Sequence, residues 1–179
     1  MPTDARSVTV RRLQAPEPAL MPGLIALLQD SVRGGASVGF LAPVTAETAQ
    51  RHWQGVFEQL AGNVRLWVAC GVDGRVLGSV QLELCGKENG RHRAEVQKLF
   101  VHSAERGRGI ASQLLQSVEA YAREHGRTLL VLDTLKGSHA EAMYRRQGWQ
   151  FVGYIPDYAG HPDGVLEATA VFYKRIPPG

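Results

Sequence analysis

The chain alternates between two hydrophobic patterns, one with a period of two residues and one with helical spacing. Alternating or continuously apolar runs predict seven strands, at residues 7–13, 65–72, 75–84, 94–101, 128–133, 150–154 and 168–175. Apolar residues that recur every three or four positions predict helices at residues 20–32, 45–60 and 110–125, and a short helix that begins after residue 138. The predicted order of elements is therefore β-α-α-β-β-β-α-β-α-β-β.

Local signals support several of these boundaries. Gly34 and Gly35 stop the first helix, and Thr45 can cap the second. Ser138 and Glu141 have the spacing of a capping box at the start of the last helix. The run 128–133 is nearly all apolar, as is typical of a strand that is covered on both faces.

The two cysteines are predicted to remain free. Asp73-Gly74 favours a two-residue hairpin turn, which would place Cys70 opposite Leu77 rather than Cys85. We therefore expect no disulfide between the cysteines. Both are interpreted as small buried apolar side chains in a reducing cytosol.

Length and composition limit the class of protein. A chain of 179 residues with 44% hydrophobic residues is expected to form one domain, residues 1–179, with a substantial core. No apolar run reaches the roughly 18 residues of a membrane span. Residues 1–6 lack the apolar segment of a secretory signal. These features predict a cytoplasmic protein without a membrane partner.

The charge pattern bears on partners. A net charge of +3 suits a polyanionic ligand, and nucleic acid is one alternative for such a chain. The Lys and Arg residues are scattered among acids, however, without the basic and aromatic stripe of a nucleic-acid surface. We therefore predict no nucleic-acid partner. The six histidines lack metal-ligand spacing, so we also predict no metal.

The segment 106–111 carries the clearest chemical signal. It follows the apolar run 96–101 and opens the helical run 110–125, and no Ser, Thr, Asp or Asn directly precedes Ile110. The first turn of a helix has unpaired N–H groups at the positive end of its dipole. Gly107 and Gly109 let a ligand approach the backbone, and Arg106 and Arg108 add positive charge. The pattern predicts a phosphate-binding loop.

This loop can be interpreted in four ways, one of which the sequence excludes. It can be a solvated basic loop, or a dinucleotide-binding loop with Asp133 as the downstream acid, although Ser112 stands at the third glycine position. A P-loop is excluded because no Gly-Lys-Ser/Thr follows. The fourth is the pyrophosphate loop of an acetyl-coenzyme A enzyme, which Arg106, Gly109 and Ala111 match at all three defined positions.

Residues 94–174 resemble the core of the GNAT superfamily of N-acetyltransferases. After the loop come a strand, a short helix with Tyr144, then Gly148-Trp149 and a strand leading to Gly153-Tyr154, which is the order typical of that superfamily. Residues 34–40, 94–99 and 162–164 are similar to the tabtoxin resistance acetyltransferases. The resemblance implies an α/β (mixed α+β) GNAT fold, a strongly twisted mixed sheet of about seven strands with four helices on both faces.

The resemblance also implies how acetyl-coenzyme A is held. In the superfamily the fourth and fifth strands separate, and the pantetheine arm lies between them like an added strand. An N–H group of the fourth strand then polarises the thioester carbonyl. The implied cofactor-binding residues comprise one strand segment and the phosphate loop: Leu99, Phe100, Val101, Arg106, Gly107, Arg108, Gly109, Ile110 and Ala111. The alternative for residues 99–101 is an ordinary core strand.

Three residues are candidates for moving protons. Tyr144 can donate a proton to the departing thiolate, or it can be a core tyrosine bonded to the backbone. Glu95 and Asp133 are candidate bases, since each stands in an otherwise apolar or structural run where burial can tune it. Their alternatives are an ion pair of Glu95 with Arg91, Arg93 or Lys98, and capping or loop contacts of Asp133. A water relay without a dedicated base is also open.

The acceptor is expected to lie between the loops 33–43 and 156–167, where Asp157, Tyr158, His161 and Asp163 suit a cationic amine. Both loops can also be plain surface turns. The predicted activity is acetyl transfer from acetyl-coenzyme A to a small-molecule amine, such as a toxin or antibiotic-like acceptor, by a monomer or homodimer. Protein or peptide acetylation and non-catalytic coenzyme A sensing remain alternatives.

Overall fold

The computed structural model of the protein describes residues 7–179. Four helices are present in this range: α1 (Met21–Arg33), α2 (Ala46–Glu58), α3 (Ile110–Glu124) and α4 (His139–Arg146). The strands are β1 (Val8–Arg12), β2 (Val64–Gly71), β3 (Val76–Leu84), β4 (Arg93–Val101), β5 (Leu129–Leu135), β6 (Gln150–Gly160) and β7 (Leu166–Arg175). The predicted order of elements is confirmed. The prediction about a secretory signal concerns residues 1–6, which lie outside the described residues.

The strands form one seven-stranded mixed sheet in the order β1-β2-β3-β4-β5-β7-β6. Every neighbouring pair is antiparallel except β4 and β5, which are parallel and are connected through α3. The predicted mixed α/β architecture is confirmed. The predicted caps also form, because the Thr45 and Ser138 side chains accept hydrogen bonds from the N–H groups of Thr48 and Glu141.

Helices pack on both faces of the sheet. One face packs on α3 and α4 through a cluster that includes Leu82, Ala94, Val96, Leu130 and Leu132. The other face packs on α1 and α2 through a cluster that includes Leu24, Trp53, Leu66, Val68 and Phe100. Side chains alternate along a strand. The residues directly before and after Leu82, Ala94, Val96, Leu130 and Leu132 in the sequence therefore point towards α1 and α2.

The sheet opens between β4 and β5. These strands pair at Arg93–Leu129, Ala94–Leu130 and Glu95–Val131, and no pairing follows, although β4 continues to Val101 and β5 to Leu135. Backbone groups of β4 beyond Glu95 therefore face a gap instead of a neighbouring strand. This is the separation that the resemblance implied and that the hydrophobic pattern alone does not reveal.

A β-bulge interrupts β4 within the gap. Ser79 of β3 pairs with Phe100, whereas Gln81 pairs with Gln97, so β4 carries one extra residue between the two pairs. Lys98 lies in this bulge with a φ of 49°. This left-handed conformation costs a residue with a side chain about 1–2 kcal/mol. The bulge changes which face later residues take, since Val96 packs towards α3 but Phe100 packs towards α1 and α2.

The predicted register of the β2–β3 hairpin is wrong. The β2–β3 turn spans residues 72–75, and a register shift after Ala69 places Cys70 opposite Val76 instead of Leu77. The bulge was invisible in the alternating pattern of both strands. Both cysteines are free, as predicted, but Cys85 is only half-buried.

The predicted loop 156–167 is mostly strand. β6 continues to Gly160 and β7 begins at Leu166, with Ala159 paired to Glu167 and Gly160 paired to Leu166. A register shift between Ile155 and Ala159 accommodates Pro156, which has no N–H group to donate to the ladder. The hairpin therefore projects as a paired arm beside the gap between β4 and β5.

Candidate active site

The start of α3 forms an open anion-binding turn. Gly107 and Gly109 have φ values of 76° and 75°, and Gly109 is the N-cap residue. No side chain caps the first N–H groups of the helix, which include those of Ile110 and Ala111. A Cβ atom on either glycine would meet nothing within 4 Å, so the space in front of these donors is open. The backbone thus has the arrangement that the sequence predicted for a phosphate loop.

The two arginines of the loop are held differently. Arg108 pairs with the buried carboxylate of Glu105, which also accepts a 2.9 Å hydrogen bond from Arg75. Arg106 is exposed and makes no ion pair within 4 Å among residues 7–179. Its guanidinium lies near the end of α1, since a Cβ atom on Gly34 would be 3.3 Å from Nη2 of Arg106.

Asp30 ties the end of α1 to the turn that precedes the loop. Its carboxylate accepts hydrogen bonds of 2.7 Å from both the N–H and the hydroxyl of Ser103. Burial opposes ionisation of Asp30, but the bonds from Ser103 prevail, assisted by the charges of His102 and Arg106, and lower its pKa. This anchor fixes the path of the chain from β4 into the phosphate loop.

The segment Leu99, Phe100 and Val101 follows the bulge and lines the gap. Phe100 is buried against Trp53, with ring centroids 6.3 Å apart, while Leu99 and Val101 pack on the α3 side. On one side this segment pairs with β3, and on the other it has no strand partner. The side chains of this segment therefore belong to the core, while its backbone edge is open, and its binding of a cofactor stays a prediction.

Tyr144 lies in α4 with its ring enclosed and its hydroxyl unpaired. The ring packs against Trp149 and Phe172, with centroid distances of 5.7 and 6.0 Å. The hydroxyl makes no hydrogen bond to any described residue. It is also not fully enclosed by the protein, so it opens onto accessible space. Burial, with a contribution from the Asp133 charge, raises the pKa of Tyr144 well above its usual value. The phenol thus stays protonated at neutral pH, which a proton donor requires.

The two candidate bases lie on the same face of the sheet. Glu95 and Asp133 each neighbour residues that pack on α3, so both point towards the opposite face, where Glu83 also points. Glu95 is half-buried at the last pair before the gap, and Asp133 lies on β5 beyond that pair. Glu83, Glu95 and Asp133 thus lie on one face of the sheet, and these three carboxylates are called here the acidic floor.

The surroundings of the candidate bases differ in part from expectation. Asp133 is exposed instead of buried, and its Oδ2 accepts a 2.7 Å hydrogen bond from the hydroxyl of Thr169 on β7 instead of capping a loop. Glu95 makes no ion pair within 4 Å with a residue of the described chain, including the three basic residues considered above. Both carboxylates therefore remain available to a ligand.

The two loops that were expected to flank the acceptor contact each other. The N–H of Ala42, in the α1–α2 loop, donates a 2.9 Å hydrogen bond to the carbonyl of Pro162 in the β6–β7 turn. Gly35 lies against the His161 ring, since a Cβ atom there would be 3.4 Å from Nε2. Tyr158 of the same arm lies near the floor, where the charge of Asp133, burial and the charge of Glu95 raise its pKa. Asp157 is exposed, and Asp163 caps the turn through the N–H of Val165.

Sequence reasoning missed two side chains beside these carboxylates. Thr169 orients Asp133, but only the pairing of β5 with β7 reveals it. Lys98 was considered only as a partner of Glu95. Burial lowers the pKa of Lys98, and the charges of three nearby carboxylates oppose that shift (Glu95, Asp133 and Glu83). The sequence did contain a signal for Lys98, because a lysine inside an otherwise apolar strand is unusual.

The described residues also bear on metal binding and on membrane spanning. Within residues 7–179 there is no group of three or more His, Cys, Asp or Glu residues that is arranged to hold a metal ion. None of the helices in the same range is both long enough and apolar enough to cross a membrane.

Comparisons with known proteins agree with this geometry. Residues 28–149 match the family described as acetyltransferase (GNAT) family. An uncharacterised N-acetyltransferase from the hisH-hisA intergenic region of Azospirillum brasilense is 32% identical over 128 residues, covering 70% of this chain and 74% of that protein. A Pseudomonas paraeruginosa L-methionine sulfoximine/L-methionine sulfone acetyltransferase is 26% identical over 137 residues, 76% of this chain and 78% of its own length.

The fold is shared with solved structures. A phosphinothricin acetyltransferase from Sinorhizobium meliloti, solved in complex with acetyl-coenzyme A, superimposes with a TM-score of 0.76 at 17% identity, covering 94% of this chain and 88% of that one. The family match spans more than half of the sequence, and it includes the gap in the sheet and the open turn of α3. The chain therefore belongs to the acetyltransferase (GNAT) family.

Proposed function

We propose that this chain catalyses transfer of the acetyl group of acetyl-coenzyme A to an amine of a small molecule. The observation that carries the proposal is the juxtaposition of an uncapped, glycine-preceded helix start with a sheet that opens directly beside it. The uncapped start of α3 suits the pyrophosphate of acetyl-coenzyme A. The gap between β4 and β5 suits its extended pantetheine arm. We further propose that residues 1–179 act as one N-acetyltransferase domain.

The residues of the chain have separable roles in holding acetyl-coenzyme A. The N–H groups from Gly109 to Ala111 and the side chain of Arg106 would bind the pyrophosphate. The backbone edge of Leu99 to Val101 would hydrogen-bond the pantetheine arm. When bound, acetyl-coenzyme A supplies an activated thioester carbonyl. The bulge at Lys98 interrupts the regular ladder of β4, and the backbone N–H groups beside it would hydrogen-bond that carbonyl.

The chemistry requires two proton movements in one ternary complex. The amine nitrogen forms a bond to the thioester carbon, and the carbon–sulfur bond then breaks. The proton lost by the amine passes to Asp133 or Glu95, directly or through water. The thiolate gains a proton from the hydroxyl of Tyr144, which is accessible and unpaired. The products are an amide and coenzyme A, and the protons exchange with solvent.

A small acceptor is favoured by the charge of the floor and by the names of two similar proteins. The hydrogen bond between Ala42 and Pro162 joins the two loops that are expected to flank the acceptor. The acidic floor attracts an ammonium group. The names of two similar proteins specify amino-acid-like small molecules, which supports the same class of acceptor here. An antibiotic-like or toxin acceptor falls within that class.

Calorimetric titration with acetyl-coenzyme A, and with NAD in parallel, tests the first half of the proposal. We expect acetyl-coenzyme A to bind and NAD not to bind. Arg106→Ala should weaken binding by about 10- to 150-fold, because one charge-assisted hydrogen bond is worth about 1.5–3 kcal/mol. Arg51→Ala is the matched control, since Arg51 is an exposed arginine of α2 on the opposite face of the sheet.

Release of coenzyme A thiol with a panel of small amines tests the second half. Turnover with a small amine supports the proposal, whereas turnover only with peptides contradicts the assignment of the acceptor. Tight acetyl-coenzyme A binding without turnover for any amine would indicate a sensor. Absence of acetyl-coenzyme A binding would overturn the proposal as a whole.

A further inference from the structure

Glu141 is a buried carboxylate that the proposed chemistry leaves unused. Only 6% of this residue is exposed, although it lies in the first turn of the short helix α4. In a capping box, the glutamate accepts a hydrogen bond from the N–H of the cap residue, here Ser138. The structure differs in this detail, because Glu141 Oε2 accepts a 2.6 Å hydrogen bond from the N–H of Gly137 instead. The other carboxylate oxygen is free to bind groups beyond this turn.

That second oxygen contacts the neighbouring hairpin. Glu141 Oε1 accepts a 2.9 Å hydrogen bond from the hydroxyl of Tyr154 on β6 and a 2.8 Å bond from Nη2 of Arg145. The guanidinium carbon of Arg145 also lies 4.2 Å from the centre of the Phe151 ring on the same strand. Burial opposes ionisation of Glu141, but its hydrogen bonds, that from Arg145 first, outweigh burial and lower the pKa. One ionised carboxylate thus joins α4 to β6.

Tyr154 lies at the root of the β6–β7 arm. It is paired with Ala170 of β7. The next residue pair along the sheet, Thr169 with Leu135, is the last between β7 and β5. Beyond this pair, β7 has no strand neighbour except β6 within residues 7–179. The hydrogen bond at Tyr154 therefore holds the arm at the point where it leaves the rest of the sheet.

Both ends of this connection carry groups of the proposed reaction. Tyr144 follows Glu141 by three residues, so the two are neighbours on one side of α4. The residue after Tyr154 is paired with Thr169, whose hydroxyl donates the 2.7 Å hydrogen bond to Asp133. The connection therefore runs between the helix of the proposed proton donor and the hairpin that orients a candidate base.

We propose that Glu141 is a positioning residue whose carboxylate, through Tyr154, holds α4 and the β6–β7 arm in one relative position during acetyl transfer. This role rests on the proposed function, which gives Tyr144 and the arm their tasks. Six residues of a strand span about 20 Å, so a tilt of about 5° at the root moves the tip of the arm by about 2 Å. A displacement of about 1 Å can lower the rate of an enzyme about a hundredfold.

Tyr154→Phe tests the proposal with a small change. It removes the bond to Glu141 but keeps the ring, which packs against Phe151 with centroids 4.8 Å apart. The kcat for a small amine should fall about ten- to hundredfold, because the arm and the proton donor are no longer held together. The Kd for acetyl-coenzyme A should not change, since the variant leaves the phosphate loop intact. An unchanged kcat would overturn the proposal.

Tyr121→Phe is the matched control. The hydroxyl of Tyr121 on α3 accepts a hydrogen bond of the same length, 2.9 Å, from Nε of Arg65 on β2. Neither residue belongs to α4 or to the arm. The control should lower the melting temperature at least as much as Tyr154→Phe but leave kcat unchanged. Equal falls in kcat would overturn the role of Glu141, because they would show a general effect of lost stability.

A double-mutant cycle with Glu141→Ala tests whether the two residues act through one bond. The groups that bond to Glu141 belong to exposed residues, so water can replace the lost bonds and the variant should fold. Its kcat should fall at least as far as that of Tyr154→Phe. Adding Tyr154→Phe to it should cause no further fall. Additive effects would overturn the proposal.

Amide hydrogen exchange tests the connection without turnover. In Tyr154→Phe, exchange should become faster in both α4 and β6, whereas α3 should exchange as in the wild type. If the protein acetylates no amine, this joint change still supports the connection, and only the proposed function fails. Faster exchange in β6 alone would overturn the role of Glu141 even in an active enzyme, because α4 would then be held independently of the arm.

Discussion

At the scale of single residues, two buried tyrosines show how similar surroundings lead to different roles. Tyr121 packs against Trp67, and its hydroxyl accepts a 2.9 Å hydrogen bond from Nε of Arg65. Tyr144 packs as closely against Trp149, but its hydroxyl has no partner among the described residues and opens onto accessible space. The Tyr121 hydroxyl therefore contributes to stability, whereas the Tyr144 hydroxyl is free to serve a reaction.

Phenylalanine substitutions should separate these roles. Tyr144→Phe removes the proposed proton donor, so kcat should fall at least tenfold, while the affinity for acetyl-coenzyme A and the melting temperature stay near wild type. Tyr121→Phe should leave kcat unchanged and lower the free energy of unfolding by about 1 kcal/mol, the net value of one hydrogen bond. Steady-state kinetics and thermal melts of both variants measure the effects. Normal turnover of Tyr144→Phe across pH would remove Tyr144 from the mechanism.

The sequence was informative about residues whose role depends on local order. Gly109 and Ala111 follow from the spacing of the loop, and Tyr144 from its position before Gly148. Lys98 and Thr169 do not follow from spacing. Lys98 depends on a bulge, and Thr169 on the pairing of strands that are distant in sequence. Both depend on long-range packing, which a short stretch of sequence does not reveal.

At the scale of elements, the position of α3 depends on a glycine in the neighbouring strand. A Cβ atom on Gly78 would lie 2.7 Å from the carbonyl oxygen of Phe100 and 3.2 Å from the side chain of Ile110. Gly78 therefore lets the first residue of α3 and the backbone of β4 approach β3 closely. The open turn of the helix and the edge of the gap are set by the same contact.

Gly78→Ala should affect both binding and stability. Because a backbone atom lies within the contact distance of the added methyl group, β4 or α3 must shift, and overpacking of this kind costs about 1–3 kcal/mol. We expect weaker acetyl-coenzyme A binding and a lower melting temperature, measured by calorimetry and thermal unfolding. Gly153→Ala is the control, since Gly153 is also in a strand but its Cβ would meet nothing within 4 Å. Equal effects of the two variants would contradict the proposed contact.

The hydrophobic pattern predicted elements better than it predicted their pairing. The order of strands and helices follows from periodicity and caps, because both act within a few residues. The register at Cys70 and the length of the β6–β7 arm were wrong, because bulges in β3 and β6 shift the pairing without disturbing the local pattern. The gap between β4 and β5 came only from the resemblance to a family.

At the scale of the whole molecule, a half-buried histidine links the fold to pH. His52 packs edge-on against Phe40 and Trp53, and its Nε2 has no partner within the described chain. Burial, and secondarily the charge of Lys98, lowers the pKa of His52 to about 4. The unfolded chain takes up a proton near pH 6.5, whereas the folded protein takes it up only near pH 4. Stability contributed by neutral His52 is therefore present above pH 6.5 and is lost as the pH falls towards 4.

His52→Leu should weaken this dependence. We expect the melting temperature of the variant to fall less between pH 7 and pH 5 than that of the wild type, as measured by thermal unfolding at each pH. His139→Gln serves as a control because His139 is exposed at the start of α4. Parallel curves for His52→Leu and the wild type would show that other groups govern the acid sensitivity of the fold.

The narrow junction between β4 and β5 also has a consequence for how the protein can diversify. Only three residue pairs join the larger part of the sheet, β1–β4, to the part formed by β5, β7 and β6. The family match ends at residue 149, before the β6–β7 arm begins. Mutations in that arm can therefore accumulate without disturbing the phosphate loop. On the proposed function, changes in that arm would alter the acceptor while the proposed acetyl-coenzyme A site is kept.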